Sequence, residues 1–167
     1  RLAWAWWTFV VSGVLGFGSF LAYLSYGYLD DWHGTATLAL LPVFVAGIVL
    51  TGQHATVPSS GWLFSDEARS APKVVRVGRW LLLGTGLGIA LAGIVILYLG
   101  STEVFVAEDL GFMGVTRAML DAANPRLVPL IAHNRAGFGG GLATVGALLL
   151  ICAWFARPSR GFTQAVI

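Results

Sequence analysis

The sequence predicts an all-α protein: a bundle of four transmembrane helices in one small membrane domain. Three observations predict it. Residues 136–156 contain no charge and are flanked by Arg135 and Arg157; as a helix they span about 30 Å, the hydrocarbon thickness of a bilayer. Three more runs of this kind cover about 4–29, 33–52 and 80–100. Hydrophobic residues make up 57% of the 167 and charged residues 11%, with a mean hydropathy of +0.79, whereas a soluble domain carries about 25% charge.

Helix is the expected form for each run. Lipid satisfies no backbone polar group, and the runs lack the alternation of barrel strands. The first run is long, rich in Trp and Phe and without a small-residue cleavage site, so it reads as a retained span rather than a signal peptide. A chain starting at Arg1 is expected to lack some N-terminal residues. The second run carries Pro42 in its middle, where a kink is expected. The segment 53–78 is a polar connector with two prolines, and His54 in it reads as a solvated loop histidine. In the segment 101–123, a short interfacial helix is expected from about Thr116, capped by that residue. Asn124 followed by Pro125 looks like a cap and first helical position, so the fourth helix is expected to begin near residue 125.

Basic residues set the expected orientation. Arg1, Arg69, Lys73, Arg76, Arg79, Arg157 and Arg160 fall on one side; Arg117, Arg126 and Arg135 fall on the other. The first side should be cytoplasmic, with both termini inside. The other side holds Asp30, Asp31, Glu103, Glu108, Asp109 and Asp121. The expected location is a bacterial cytoplasmic membrane. The net charge of +2 sits at span boundaries, so nucleic acid is not an expected partner. Cys152 is the only cysteine, which excludes a disulfide framework within one chain.

Small residues mark expected packing faces. Gly84, Gly88 and Ala92 recur every four residues in the third span. Gly137 and Gly141, and Gly139 and Ala143, do so in the fourth, and Ser12 and Gly16 in the first. Such spacing lets backbones approach closely, within the bundle or against a partner subunit. The run Gly139-Gly140-Gly141 weakens a helix by roughly 1 kcal/mol per residue relative to alanine, so a helix or a flat ligand should approach there.

His33 opens the second span and His133 precedes the fourth, both on the acidic side, with Arg135 two residues on. One reading is a structural network in which Arg135 pairs with Asp30, Asp31 or Glu103. Another is a ligand site made by His33, His133 and Arg135. Haem b, a quinone, a lipid headgroup or a metal ion held with a carboxylate are the ligands weighed; no cofactor and no metal is the expectation. No acid lies mid-span, and no His-Glu-x-x-His, nucleophile or phosphate-loop motif occurs, so transport and catalysis lack a signal. The residues therefore suggest a non-catalytic accessory or structural subunit of a larger membrane complex, an electron-transfer assembly being the guess. It would pack against other integral membrane subunits and lipids, with the 101–123 loop facing an extracytoplasmic protein.

The stretch from Asn124 to Gly140, Asn-Pro-Arg-Leu-Val-Pro-Leu-Ile-Ala-His-Asn-Arg-Ala-Gly-Phe-Gly-Gly, resembles a signature of uncharacterised bacterial four-helix membrane proteins. The likeness covers about 103–146, with a weaker echo in His33-Gly-Thr-Ala-Thr. That pattern has His-Asp-Arg where this chain has His133-Asn134-Arg135. The resemblance implies the four-helix fold and brings no activity with it. The missing carboxylate turns expectation away from metal or proton chemistry and toward a structural role.

Overall fold

The computed structural model describes residues 3–22, 28, 30–52, 61–157 and 159. The elements among them are all helical: α1 (Ala3–Ala22), α2 (Asp31–Gly52), a 3-10 turn (Trp62–Phe64), α3 (Asp66–Ser70), α4 (Lys73–Ser101), α5 (Ala107–Met113), α6 (Arg117–Ala123) and α7 (Leu127–Phe155). Four of these helices are long and apolar enough to cross a membrane: α1, α2, α4 and α7. Of the predicted extension of the first span, residues 23–27 and 29 lie outside the described residues, as does His54, and Tyr28 is described but not helical.

The seam between α4 and α7 organises the bundle. Gly86, Ala90, Gly93 and Gly100 on α4 face Ala136, Gly139, Ala143 and Gly146 on α7 in antiparallel order. The α7 set advances by alternating steps of three and four, and the α4 set by four, three and then a full seven. That 3.5-residue average keeps one face on its partner, as in a coiled coil. The backbones touch: a Cβ on Gly139 would strike the amide of Leu97, and one on Gly146 the amide of Ala90. Close backbone approach supplies the dispersion contacts that hold helices together where no water drives them.

A second face of α7 receives α1. Gly140 lies against the side chain of buried Ser19, whose hydroxyl donates to Gly16 O at 2.7 Å. The glycine run is thus met by α4 at Gly139 and by α1 at Gly140, and no other described residue approaches Gly141 within 4 Å. α2 packs on α1 through Phe44, which sits over Gly13 and meets the rings of Phe9 at 5.3 Å and Phe17 at 5.2 Å. Trp6 Nε1 donates to Thr51 Oγ1 at 2.9 Å. α2 buries none of its own residues.

Several sequence expectations about packing need correction. Among the described residues, nothing lies within 4 Å of where a Cβ would sit on Gly84, Gly88 or Gly16, and Ala92 is exposed. Each four-residue step from Gly84 to Ala92 drifts only about 40° round the helix, so these three share a face, but it is one that the described part of the bundle leaves open. Ser12 hydrogen-bonds only back to Phe9 O on its own helix, at 3.0 Å. Gly139 and Ala143 do lie in the α4–α7 seam, while Gly137 is half-buried beside it.

At the end of the bundle where α7 finishes, Gly61 and the 3-10 turn after it lie against the helix terminus. Arg79 is buried and donates to the carbonyls of Cys152 (3.2 Å), Ala153 (2.8 Å) and Ala156 (2.5 Å). Its guanidinium lies 4.6 Å from the ring centre of buried Trp62. The carbonyls of a helix's last turn lack intrahelical partners, and a fixed cation supplies them.

At the opposite end, the segment from Ser101 to Ala123 folds back over α7. Thr116 caps α6 as expected, its side chain accepting from Met119 N–H at 3.3 Å. The additional helix α5 had no counterpart among the sequence expectations. α4 begins seven residues before the predicted third span, and α7 starts at Leu127. Asn124 still accepts a backbone bond there, from Arg126 N–H at 2.9 Å.

Candidate functional site

The site begins with the start of α2. Asp30 precedes the helix, and its Oδ1 accepts the N–H groups of Trp32 (3.1 Å) and His33 (3.0 Å), an N-cap. That clamp turns Oδ2 toward imidazoles. Oδ2 is hydrogen-bonded to His33 Nδ1 and lies 3.7 Å from His133 Nε2. The backbone N–H of His33 foremost holds the Asp30 carboxyl below the ordinary aspartate range; burial, the next-largest influence, opposes it, and the His33 ring adds a smaller lowering.

His133 reaches this point from α7 and is buried, at 8% exposure. Its ring meets those of His33 and Tyr28, each at 4.9 Å between centroids and edge-on. His33 in turn contacts Phe20 of α1 at 5.5 Å. One potential ligand atom each from Asp30, His33 and His133 lies within 4.8 Å of the others. Two imidazoles and a carboxylate converging without a thiolate suit a divalent first-row transition ion with coordination positions left open. The same trio can also share a proton along Asp30–His33. The two histidine rings touch each other, so no slot for a flat macrocycle separates them.

Arg135 is not part of this cluster. Its Nη2 donates to Asp109 Oδ2 at 2.7 Å, and its guanidinium lies 5.5 Å from the Phe105 ring centre. Residues two apart on a helix point to nearly opposite sides, so His133 and Arg135 serve different faces of α7. The expected pairing of Arg135 with Asp30, Asp31 or Glu103 is thereby corrected to Asp109. The structure groups His33 and His133 with Asp30 rather than with Arg135. Asp30 carried a signal that was readable: an acid three residues before a histidine at a helix start.

Arg135 instead fastens the segment that follows α4. There Phe105 N–H donates to Glu103 O at 2.8 Å around Val104, whose φ is +66°. This is a three-residue γ-turn with a β-branched residue at positive φ, a conformation that costs of order 1–3 kcal/mol. Val104 is fully buried against Val128 and Ala132, and Arg117 Nη1 donates to Glu103 O at 2.9 Å. Burial and the two arginines hold the strained turn in place.

The Arg135 guanidinium, foremost, holds the Asp109 carboxyl below its usual range. A carboxyl depressed in the folded state stabilises fully above its unfolded pKa and loses that effect as pH falls through the folded one. The strap should therefore stay fastened at neutral pH and loosen only beneath the ordinary aspartate value of 3.8. A spin label at exposed Phe112 should gain mobility in that acid range, and Arg135→Ala should give the same mobility at pH 7. Unchanged label motion in both cases would refute the fastening.

A comparison of the chain with protein-family models, curated proteins and solved structures finds no match. The reading of the site rests on its own residues.

Proposed function

We propose that this chain is a small integral membrane protein that binds a divalent transition-metal ion through Asp30, His33 and His133. The observation that carries this reading is the convergence of the three potential ligands within 4.8 Å, one of them on buried His133 and one on an acid clamped by backbone N–H groups. A ligand set held by helix termini rather than by mobile loops is arranged before the ion arrives.

The test is direct. Detergent-purified protein, stripped with chelator and dialysed against Zn²⁺, Fe²⁺, Mn²⁺ or Co²⁺, should take up one equivalent of at least one ion. Asp30→Asn, His33→Ala and His133→Ala should each weaken uptake by about 100-fold or more, beyond the 10–100-fold of an outer-shell partner. Stoichiometric uptake that survives His133→Ala would overturn the site, as would no uptake of any of the four ions.

The orientation belongs to the same reading. The Arg79 end carries Arg69, Lys73, Arg76 and Arg157, which supports a cytoplasmic face there and both termini inside, in a bacterial cytoplasmic membrane. The metal site and the interfacial helix α6 would then face outward. A cysteine at Ser101 should label from outside intact cells and one at Ser70 should not; the reverse pattern inverts the orientation.

A second reading has its own observation. α2 buries no residue, and Gly84, Gly88 and Ala92 form a smooth, unoccupied row on α4. These faces support a non-catalytic accessory subunit packed against larger membrane subunits, with Phe112, 95% exposed on α5, available to an extracytoplasmic partner. An electron-transfer complex is the assembly proposed, on the small, aromatic-rich bundle alone. Stoichiometric chains that co-purify from the native membrane would support it; a lone chain would remove it.

A further inference from the structure

Between α1 and α2 runs a groove of about 300 Å³, lined by Phe9, Ser12, Gly16, Phe17, Phe20 and Phe44. Its wall is almost wholly apolar. Along α1 it extends from Phe9 to Phe20, about 16 Å at 1.5 Å per residue. Phe20, at its upper limit, touches the His33 ring, so the groove leads to the Asp30–His33 pair. The apolar trough and the polar pair form one continuous surface, with the shape of a site for a tail and a head.

The charge at the head decides the class of lipid. A phospholipid phosphate would meet the Asp30 carboxylate. The cation nearest in sequence to His133, Arg135, is turned away to Asp109. Like charges without an intervening cation repel, so an anionic head is disfavoured. A neutral head with hydroxyl donors is favoured, because a carboxylate accepts such bonds strongly. A ring-shaped head also suits the aromatic neighbours Phe20 and His33, whose rings are tilted 43° to each other. We infer that the groove binds a neutral, ring-headed prenyl lipid of the quinol class, its tail along Phe17 and Phe44 and its hydroxyl on Asp30 or His33. The inference stands on the groove and, for the metal-free protein, on the charge at its end, so the titrations are made on chelator-stripped protein.

A plug separates this from the metal reading. A Cβ at Gly16 meets nothing within 4 Å among the described residues, so Gly16→Leu starts its side chain in the open space of the groove. Ser12→Leu is a second plug at a hydroxyl bonded only within its own helix turn. Protein reconstituted in nanodiscs would be titrated with decylbenzoquinol and, separately, with a short-chain phosphatidylglycerol, following tryptophan fluorescence. Lipid extracted from the native preparation would be identified by mass spectrometry. The expected result is saturable quinol binding, a prenyl quinone among the extracted lipids, and a loss of at least about tenfold in both plugs, or about 1.4 kcal/mol, with metal uptake and melting temperature kept. Binding of phosphatidylglycerol alone, no saturable binding, or plugs that bind quinol as well as the parent would each overturn the inference. Loss of metal uptake in His133→Ala with quinol binding retained would leave it standing.

Discussion

Gly93→Leu or Gly139→Leu should separate α4 from α7 and abolish the folded bundle. At Gly93 a Cβ would run into the backbone of Ala143 and the carbonyl of Gly139; at Gly139 it would strike the amide of Leu97 and the carbonyl of Gly93. Backbone inside a helix cannot turn aside as a side chain does. Even alanine at either position should therefore cost at or above the upper end of the usual overpacking range of about 1–3 kcal/mol. Gly84→Ala and Gly88→Ala are the controls. Both face open space, so they should be neutral or stabilise by up to about 1 kcal/mol through helix propensity. Unfolding midpoints in mixed detergent and SDS micelles would measure all four. Equal effects on the two rows would sink the assignment of the seam.

Arg79→Ala should be the second large loss. It removes donors from the carbonyls of Cys152, Ala153 and Ala156 together and uncovers the ring of Trp62. Charge-assisted bonds contribute about 1.5–3 kcal/mol each, so after relaxation of the helix end the expected cost is roughly 3 kcal/mol or more. Arg79→Lys should recover only part of it, since an ammonium lacks the planar fork that reaches several carbonyls. The readout is the same unfolding midpoint, with faster hydrogen exchange confined to the last turn of α7 in the lysine variant. An alanine variant as stable as the parent would mean that water caps this terminus.

These two predictions also show where reading the chain succeeded and where it stopped. The uncharged runs and the polar segments between them placed four membrane-length helices, because hydrophobic length is a local property measured against a fixed bilayer thickness. Thr116 announced its helix for the same reason: a cap is made within four residues. Arg79 was counted as one charge among seven on its side, and nothing local said that it bends onto a helix end more than seventy residues away.

The glycines show the limit most clearly. Gly84, Gly88 and Ala92 have the spacing of a packing face, and so does the set Gly86, Ala90, Gly93 and Gly100. The tertiary structure selects the second because its 3.5-residue rhythm matches the small residues of α7, and a seam needs both sides. The histidines follow the same logic. Their shared end of the bundle was legible from span polarity, but the partner of each was not. Helix rotation sends Arg135 to Asp109 and leaves His133 to Asp30 and His33. Composition and local periodicity determined that this chain is helical and where its membrane-length segments lie. Which faces meet, and hence which side chains form a site, is a relation between distant segments, and only their packing decided it.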